Sequence, residues 1–266
     1  MVKISIITVS YNSATTIADT LRSVVTQTYP DIEHLIIDGQ SSDQTMQVVN
    51  ANYHSKLVFN SEPDEGIYDA MNKGVRRATG EIIGILNSDD FYVHENVLNE
   101  VANSFLNDPT LDVVLGDVDF VKSGDLKNSV RTYQASGFQT WMFRFGFMPP
   151  HPAVFVRKTA YERVGSYKID YKIAADFDFL LRLLHIDGAK YQVTGKHWVR
   201  MLVGGASTSG WQSNFVITKE MQRSLRENGV FSNVPMLLLR LPLKLIKQIF
   251  LQTFRKHCIP ESSDTK

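Results

Sequence analysis

The stretch Gly80-Glu81-Ile82-Ile83-Gly84-Ile85-Leu86-Asn87-Ser88-Asp89-Asp90 passes from an apolar run into two adjacent acids. A run of Ile and Leu that is apolar on both faces is typical of a strand in a parallel sheet with helices packed above and below. Carboxylates at the end of such a strand lie where open α/β sheets bind ligands. Asp89-Asp90 is also the pattern of a helix cap, so the assignment depends on the rest of the chain.

Strand and helix patterns alternate through the first 90 residues. They predict strands at residues 3–10, 32–37, 56–60 and 80–86, with helices at residues 14–28 and 67–79 and a third helix that ends at Asn52. This spacing indicates a parallel sheet with right-handed βαβ connections. We therefore predict an α/β fold, with a Rossmann-like, mostly parallel central sheet and helices on both faces.

After Asp90 the pattern changes. It predicts a helix at residues 95–107, a buried helix over residues 174–184, and strands at residues 111–121, 128–133, 153–156 and 191–202. Residues 204–210 have the composition of a lid or of an ordinary loop. We divide the chain into one domain, residues 1–228, with halves at 1–107 and 108–228, and a tail at 229–266.

The composition is that of a globular protein, 43% hydrophobic, with 28 Lys+Arg and 28 Asp+Glu. This balance gives no global charge that would favour nucleic acid. The single cysteine, Cys258, excludes an internal disulfide and suits a reducing compartment. The chain enters a strand pattern at once, without the features of a signal peptide, so we expect a cytoplasmic protein.

The tail is basic and amphipathic. Residues 229–260 contain no acid, and five basic residues lie among Leu, Ile, Phe and Met: Arg240, Lys244, Lys247, Arg255 and Lys256. These charges interrupt the apolar run before the ~20 residues that a spanning helix needs. We expect amphipathic helices in the interface of an anionic membrane; a terminal helix packed on the domain is the alternative.

Four polar turns follow or flank the predicted parallel strands, at residues 10–12, 38–43, 64–69 and 87–90. They should converge on one edge of the sheet. Neither G-x-G-x-x-G nor G-x-x-x-x-G-K-[ST] occurs in the chain, so a diphosphate must be held in another way. A divalent cation bound by one or two carboxylates meets this need, and Asp89 and Asp90 are the candidate ligands.

The polar segments also occur in a familiar order. They are Val9-Ser10-Tyr11-Asn12, Asp38-Gly39-x-Ser41-Ser42-Asp43-x-Thr45, Pro63-Asp64-x-Gly66-Ile67-Tyr68-Asp69-Ala70-Met71-Asn72-Lys73-Gly74, Ala78-x-Gly80-Glu81 and Leu86-Asn87-Ser88-Asp89-Asp90. Over residues 1–210 the chain resembles the nucleotide-sugar-dependent glycosyltransferases of family 2, of the polysaccharide-building type, which have the GT-A fold. The resemblance implies a nucleotide-sugar half, residues 1–107, and an acceptor half, residues 108–228.

The resemblance also implies roles for single residues. The nucleotide would be held by the end of the first strand: Val9, Ser10, Tyr11 and Asn12. Asp38 would accept a hydrogen bond from an imino group of the base, with turn formation as its alternative role, whereas Asp43 is expected to cap a helix. Asn72 and Lys73 match donor-contact positions, and a solvated helix face is the alternative for both.

The metal motif of the family is usually Asp-x-Asp, and here its first position is Asn87. An amide oxygen is a weaker ligand than a carboxylate, so we expect Asn87, with Ser88, to contact the ribose or the sugar. Asp89, which also faces the substrate, and Asp90 are expected to bind Mg²⁺ or Mn²⁺, directly or through water. Which of the two carboxylates is the direct ligand stays open.

The catalytic base should lie on a separate element, facing the acceptor hydroxyl. In the family an acidic pair precedes an apolar helix that ends in Arg-Leu; here Ala175-Asp176 precedes Arg182-Leu183. Asp176 is therefore the candidate base, an acid favoured by the helix dipole is its alternative role, and Asp178 is the reserve. His151 and His197 are interpreted as structural, with acceptor contact or a further metal ligand as the alternatives.

Together these features predict an inverting glycosyltransferase. It would move a sugar from a nucleotide sugar, UDP-linked by family precedent, to a hydroxyl of a glycan or lipid-linked oligosaccharide in bacterial cell-surface polysaccharide synthesis. The tail would hold it on the inner face of the membrane. Because Asn87 replaces an acid, a nucleotide-sugar-binding protein without catalysis is the alternative; a processive synthase is disfavoured because Gln-x-x-Arg-Trp is absent from the chain.

Overall fold

The computed structural model describes residues 1–204 and 210–243, without the side chains of residues 210–212. The strands are β1 Ile4–Ser10, β2 Ile32–Asp38, β3 Leu57–Ser61, β4 Ile82–Ile85, β5 Asp90–Tyr92, β6 Val113–Lys122, β7 Asp125–Tyr133, β8 Val154–Arg157 and β9 Tyr191–Leu202. The α-helices are α1 Ile17–Val25, α2 Thr45–Ala51, α3 Ile67–Arg77, α4 Val97–Asn107, α5 Lys158–Val164, α6 Ala175–Leu180, α7 Gly210–Glu227 and α8 Val234–Leu238. Short 3₁₀-helices span Thr140–Phe145 and His151–Ala153, and a π-helix spans Leu181–Ile186.

All nine strands form one sheet, in the order β3-β2-β1-β4-β8-β6-β9-β5 with β7 beside β6. Strands β3, β2, β1 and β4 are parallel, as predicted for the first half of the chain. The second half is mixed: β8 is antiparallel to β4 and β6, whereas β9 is parallel to β6. The link Ser123-Gly124 makes β6 and β7 a hairpin, and a short hairpin forces the two strands to be antiparallel.

Helices cover both faces of the sheet, as predicted. Alternate residues of β1 point to opposite sides: Ile4 and Ile6 pack with α4, and Ile7 and Val9 pack with α3, α5 and α6. Gly74 of α3 lies directly on β1, where a Cβ atom would come within 2.3 Å of the Ile7 side chain. Because β3, β2, β1 and β4 are parallel, they end at the same edge of the sheet, and α3 begins there after β3.

Three elements were not predicted, namely β5, α5 and α7. Strand β5 has only three residues, and α7 has a polar sequence with a weak apolar period. The predicted helix over residues 174–184 forms, but it changes from α to π geometry after Leu180.

The described part of the tail packs on the domain. Leu237 of α8 is fully buried, and the buried Arg240 guanidinium donates to the Thr218 hydroxyl of α7 at 3.0 Å. By contrast, Leu238 and Leu239 are exposed. Residues 244–266, where most of the predicted membrane contact falls, lie outside the described residues, as do residues 205–209 of the predicted lid or loop. Within the described ranges, no helix is long and apolar enough to span a membrane.

Candidate active site

The first cluster of predicted residues lies where β1 and β2 end. Ser10 and Asp38 are register partners, and the buried Asp38 carboxylate accepts hydrogen bonds from the hydroxyls of Ser10, Ser41 and Ser61 at 2.9, 2.6 and 2.7 Å. The Ser41 backbone N–H donates a fourth, at 2.9 Å. Two carboxylate oxygens offer about four acceptor positions, so a nucleotide base would have to displace one of these partners. Asp38 thus holds three chain segments together, and base contact stays a prediction.

The loops after β1 and β2 are tied to each other. Asn12 has a φ of 50°, in the left-handed region that few non-glycine residues adopt. Its side-chain oxygen accepts from the Ser42 backbone N–H at 2.9 Å, and its own N–H donates to the Ser41 hydroxyl at 2.8 Å. Tyr11 is 66% exposed and Val9 is buried beneath it in the core. This arrangement leaves the Tyr11 ring free at the sheet edge.

The second cluster follows β4. The Asn87 side-chain amide donates to Asp90 Oδ2 at 3.1 Å, and the Ser88 hydroxyl donates to the Ser13 hydroxyl at 2.8 Å. Asp90 is fully buried, whereas Asp89 is partly exposed. Burial raises the pKa of Asp89, and burial together with the neighbouring Asp89 charge raises the pKa of Asp90 well above its ordinary value.

Acceptor oxygens without donors mark this cluster as suited to a cation. Asn87 Oδ1 and Asp90 Oδ1 are both buried without a hydrogen-bond partner, which is rare for buried polar atoms. A divalent ion prefers such oxygen ligands and often uses only one or two carboxylates. Among the described residues, no group of three or more His, Cys, Asp or Glu side chains forms a complete metal site. The unpartnered Asp90 oxygen therefore fits a metal ligand, with Asp89 beside it in the chain and the remaining ligands supplied from elsewhere.

Neither Asn72 nor Lys73 lies on a solvated helix face, which was the alternative to donor contact for both residues. Asn72 is buried, and its amide makes two hydrogen bonds with the backbone of Tyr167. The Lys73 ammonium donates to the Pro63 carbonyl at 2.6 Å and pairs with Asp69 at 2.9 Å. Both polar atoms of the Asn72 amide are thus used within the domain, and its contact with a donor stays a prediction.

Asp176 lies at the start of α6, in a setting of tyrosines. Asp176 is half-buried, and its carboxylate accepts from the Phe177 N–H at 2.8 Å. Burial raises its pKa from 3.8 to about 6, with a smaller contribution from the charge of Glu220. The Tyr68 hydroxyl, in the first turn of α3, donates to the Ile173 carbonyl. This bond places the segment that carries Asp176 at the sheet edge where the parallel strands end.

The reserve candidate, Asp178, is unavailable. Its side chain is fully buried and forms ion pairs with Arg182 at 2.8 Å and Lys168 at 3.1 Å. It also accepts from the Ser224 hydroxyl of α7 at 2.7 Å. A carboxylate so fully paired holds α6 against α7, and it cannot accept a proton from a substrate without breaking these bonds.

Both histidines have structural partners, as interpreted from the sequence. His151 is buried, its Nε2 atom lies 2.9 Å from the Tyr167 hydroxyl, and burial lowers its pKa to about 4. His197 on β9 lies 3.0 Å from Asp119 on the neighbouring strand β6.

Sequence reasoning missed Glu220. Its carboxylate accepts three backbone N–H groups in the turn before α6, from Lys172 at 2.7 Å, Ile173 at 3.0 Å and Ala174 at 2.9 Å. The turn is thus held by α7 on one side and by Tyr68 of α3 on the other. No motif signals Glu220, because α7 itself has no clear apolar period.

Residues 5–164 match the family model described as glycosyl transferase family 2. This chain belongs to the family 2 glycosyltransferases. It is 30% identical over 224 residues to a "PGL/p-HBAD biosynthesis glycosyltransferase" of Mycobacterium bovis, with 83% of each chain covered. A shorter match, 33% over 99 residues and covering 37% of this chain and 39% of the relative, is to the Escherichia coli "UDP-Glc:alpha-D-GlcNAc-diphosphoundecaprenol beta-1,3-glucosyltransferase WfaP".

The fold of this family 2 glycosyltransferase also matches solved structures. The mannosyltransferase PcManGT from Pyrobaculum calidifontis, solved with GDP-Man and Mn²⁺, superposes with a TM-score of 0.63 at 20% identity, over 97% of this chain and 76% of that one. The predicted α/β fold of the GT-A type is confirmed. The chain is a glycosyltransferase, as predicted. The family membership argues against the alternative of a nucleotide-sugar-binding protein without catalysis.

Proposed function

We propose that this glycosyltransferase inverts the anomeric configuration of its sugar, with Asp176 as the general base. The observation that carries the proposal is the position of Asp176, a half-buried residue at the sheet edge whose carboxyl has a pKa raised by burial to about 6. A base works best when its pKa lies near the operating pH. Asp176 takes the proton of an acceptor hydroxyl as that oxygen attacks the anomeric carbon, and the bond to the leaving diphosphate breaks in the same step.

The first half of the chain holds the donor. In the proposal Ser10, Tyr11 and Asn12 contact the nucleotide, Asn87 and Ser88 contact the ribose or sugar, and Lys73 faces the diphosphate. Asp89 and Asp90 hold Mg²⁺ or Mn²⁺. The buried oxygens Asn87 Oδ1 and Asp90 Oδ1, which have no hydrogen-bond donor, support this role. When bound, such an ion stabilises negative charge on the leaving nucleoside diphosphate.

The proposed donor is a UDP-sugar and the proposed acceptor is a hydroxyl of a glycan or lipid-linked oligosaccharide. Both follow the named activity of the Escherichia coli relative, which uses UDP-Glc and a diphosphoundecaprenol-linked sugar. The Pyrobaculum calidifontis structure contains GDP-Man, whereas the Escherichia coli relative is named for UDP-Glc, so the nucleotide base differs between these proteins. The exposed leucines of α8 and the basic tail support a position on the inner face of the membrane.

A donor screen tests this proposal. UDP-, GDP- and dTDP-sugars are assayed by thermal shift with Mn²⁺, and the best donor is then used for transfer to a lipid-linked acceptor. The anomeric configuration of the product is read by NMR. An α-linked donor should give a β-linked product; retention of configuration would refute the role of Asp176.

A further inference from the structure

One face of α7 is aromatic and basic. Phe215, Lys219, Arg223 and Arg226 recur at spacings of four, four and three residues, which places them on one side of a helix. With Lys172 on the facing turn and Phe231 beyond the end of α7, they line a cavity of about 860 Å³. We call this cavity the α7 groove.

The α7 groove carries positive charge that the protein does not neutralise. Arg223 is paired with Asp170 and Glu227. Glu220 also lines the cavity, but its oxygens are occupied by the three backbone N–H groups of residues 172–174. In the described part of the chain, Lys172, Lys219 and Arg226 form no ion pair. Three free cations around one cavity suit a multivalent anion, and phosphate groups match Lys and Arg donors well.

The same groove has an apolar side. Phe215 is 73% exposed and Phe231 is 66% exposed. The exposed Val234 and Leu238 of α8, and Leu239 directly after it, follow Phe231 along the chain. Exposed apolar residues that lie together mark a site for a lipid or protein partner, and cations beside them indicate an amphiphile with an anionic head.

The groove also adjoins the proposed base. Lys172 lies four residues before Asp176, and Glu220 connects the groove to the turn that carries Asp176. We propose that the α7 groove binds the diphosphate of a lipid-linked acceptor through Lys172, Lys219 and Arg226, with the lipid along Phe215, Phe231 and α8. This inference rests on the proposed lipid-linked acceptor and names the surface that receives it.

The test compares the parent with Lys219→Glu/Arg226→Glu. Farnesyl diphosphate is the probe, titrated in the presence of an excess of UDP so that the donor site is already occupied. Charge reversal at two cations replaces attraction by repulsion, so the affinity should fall about 10-fold or more. Lys56→Glu/Lys127→Glu, which reverses two exposed lysines away from the groove, should bind the probe like the parent. Thermal unfolding and donor binding confirm that each variant is folded.

The outcomes separate the possibilities. Weaker probe binding in the groove variant alone, with unchanged binding to phosphatidylglycerol vesicles, supports the proposal. If Lys219→Glu/Arg226→Glu loses affinity for these vesicles to the same extent, the groove is a general anionic-lipid surface and the diphosphate assignment is wrong. The assignment is also wrong if probe binding is unchanged in both double variants or equally weakened in both. The readout is binding, so failure of sugar transfer in the parent would count against the proposed function and not against the groove.

Discussion

Asn72 and Tyr167, which lie 95 residues apart in the chain, are joined by two hydrogen bonds. The Asn72 amide nitrogen donates to the Tyr167 carbonyl at 2.8 Å, and its oxygen accepts from the Tyr167 N–H at 2.9 Å. One turn earlier on α3, Tyr68 donates to the carbonyl of Ile173. The segment that leads to Asp176 is therefore hydrogen-bonded to α3, the helix that follows β3, at two positions one turn apart.

Asn72→Ala should weaken this connection to α3. It leaves a buried N–H and a buried carbonyl of Tyr167 without partners, which costs about 1–3 kcal/mol for each unsatisfied group. Urea unfolding should show a lower midpoint, while calorimetry shows donor affinity close to that of the parent. A variant of normal stability with weakened donor binding would instead restore the donor-contact role that the sequence suggested.

Asp176→Asn should separate binding from turnover. Without a base, transfer should fall by ~100-fold or more, and donor affinity should barely change. In the parent, transfer should rise with pH with a midpoint near 6, because the base must be deprotonated. The folded pKa lies above the ordinary 3.8, so ionisation of Asp176 opposes folding as pH rises through 6. At pH 8 the melting temperature of the variant should therefore be no lower than that of the parent. Near-normal sugar transfer by the variant would show that another residue is the general base.

Glu220→Gln should shift the pH profile of transfer. Removing this negative charge near Asp176 lowers the pKa of Asp176, so the rising limb should move to lower pH. The loss of charge-assisted bonds to the turn before α6 should also lower thermal stability. Glu227→Gln is the matched control, since Glu227 is also on α7 but pairs with Arg223 and Lys168. A pH limb that moves equally in both variants would show a general charge effect.

Asp89→Asn and Asp90→Asn should each abolish the tightening of nucleoside diphosphate binding by Mn²⁺. An amide cannot supply the negative charge that the ion requires. Calorimetry with and without Mn²⁺ measures the effect, and Asp31→Asn, at the opposite end of β2, is the control. Parent-like binding of both donor and Mn²⁺ in the two site variants would place the metal elsewhere.

Deletion of residues 244–266 should release the protein from phosphatidylglycerol vesicles in a sedimentation assay, without harming donor hydrolysis. High salt should have the same effect on the full chain, because the attraction is electrostatic. Deletion from Pro235 onwards should also destabilise the domain, since it removes the buried Leu237 and Arg240; loss of a buried Leu side chain alone costs about 2–5 kcal/mol. Full vesicle binding by the shorter deletion would dismiss the tail as the membrane contact.

Local patterns in the chain were enough to predict the parallel half of the sheet and the polar edge of that half. Apolar runs such as Ile82–Ile85 specify buried strands locally, and the residues that follow each run must lie at the same edge when the strands are parallel. Ser10, Asp38 and Asn87 could thus be placed from their order alone. The family motifs added roles to these positions, including that of Asp176.

The contacts of each side chain at that edge could not be predicted from local patterns, because their partners are distant in the chain. Glu220 lies 44 positions after Asp176 and on a helix without a clear pattern, so nothing local relates the two. Asn72 looks like a surface amide in sequence, yet it pairs with a backbone 95 residues away. The sequence ranks Asp176 before Asp178 only through the family motif, and the structure pairs Asp178 with Arg182 and Lys168 while Asp176 stays half-buried. Burial arises from contacts distant in the chain, and it raises the pKa of Asp176.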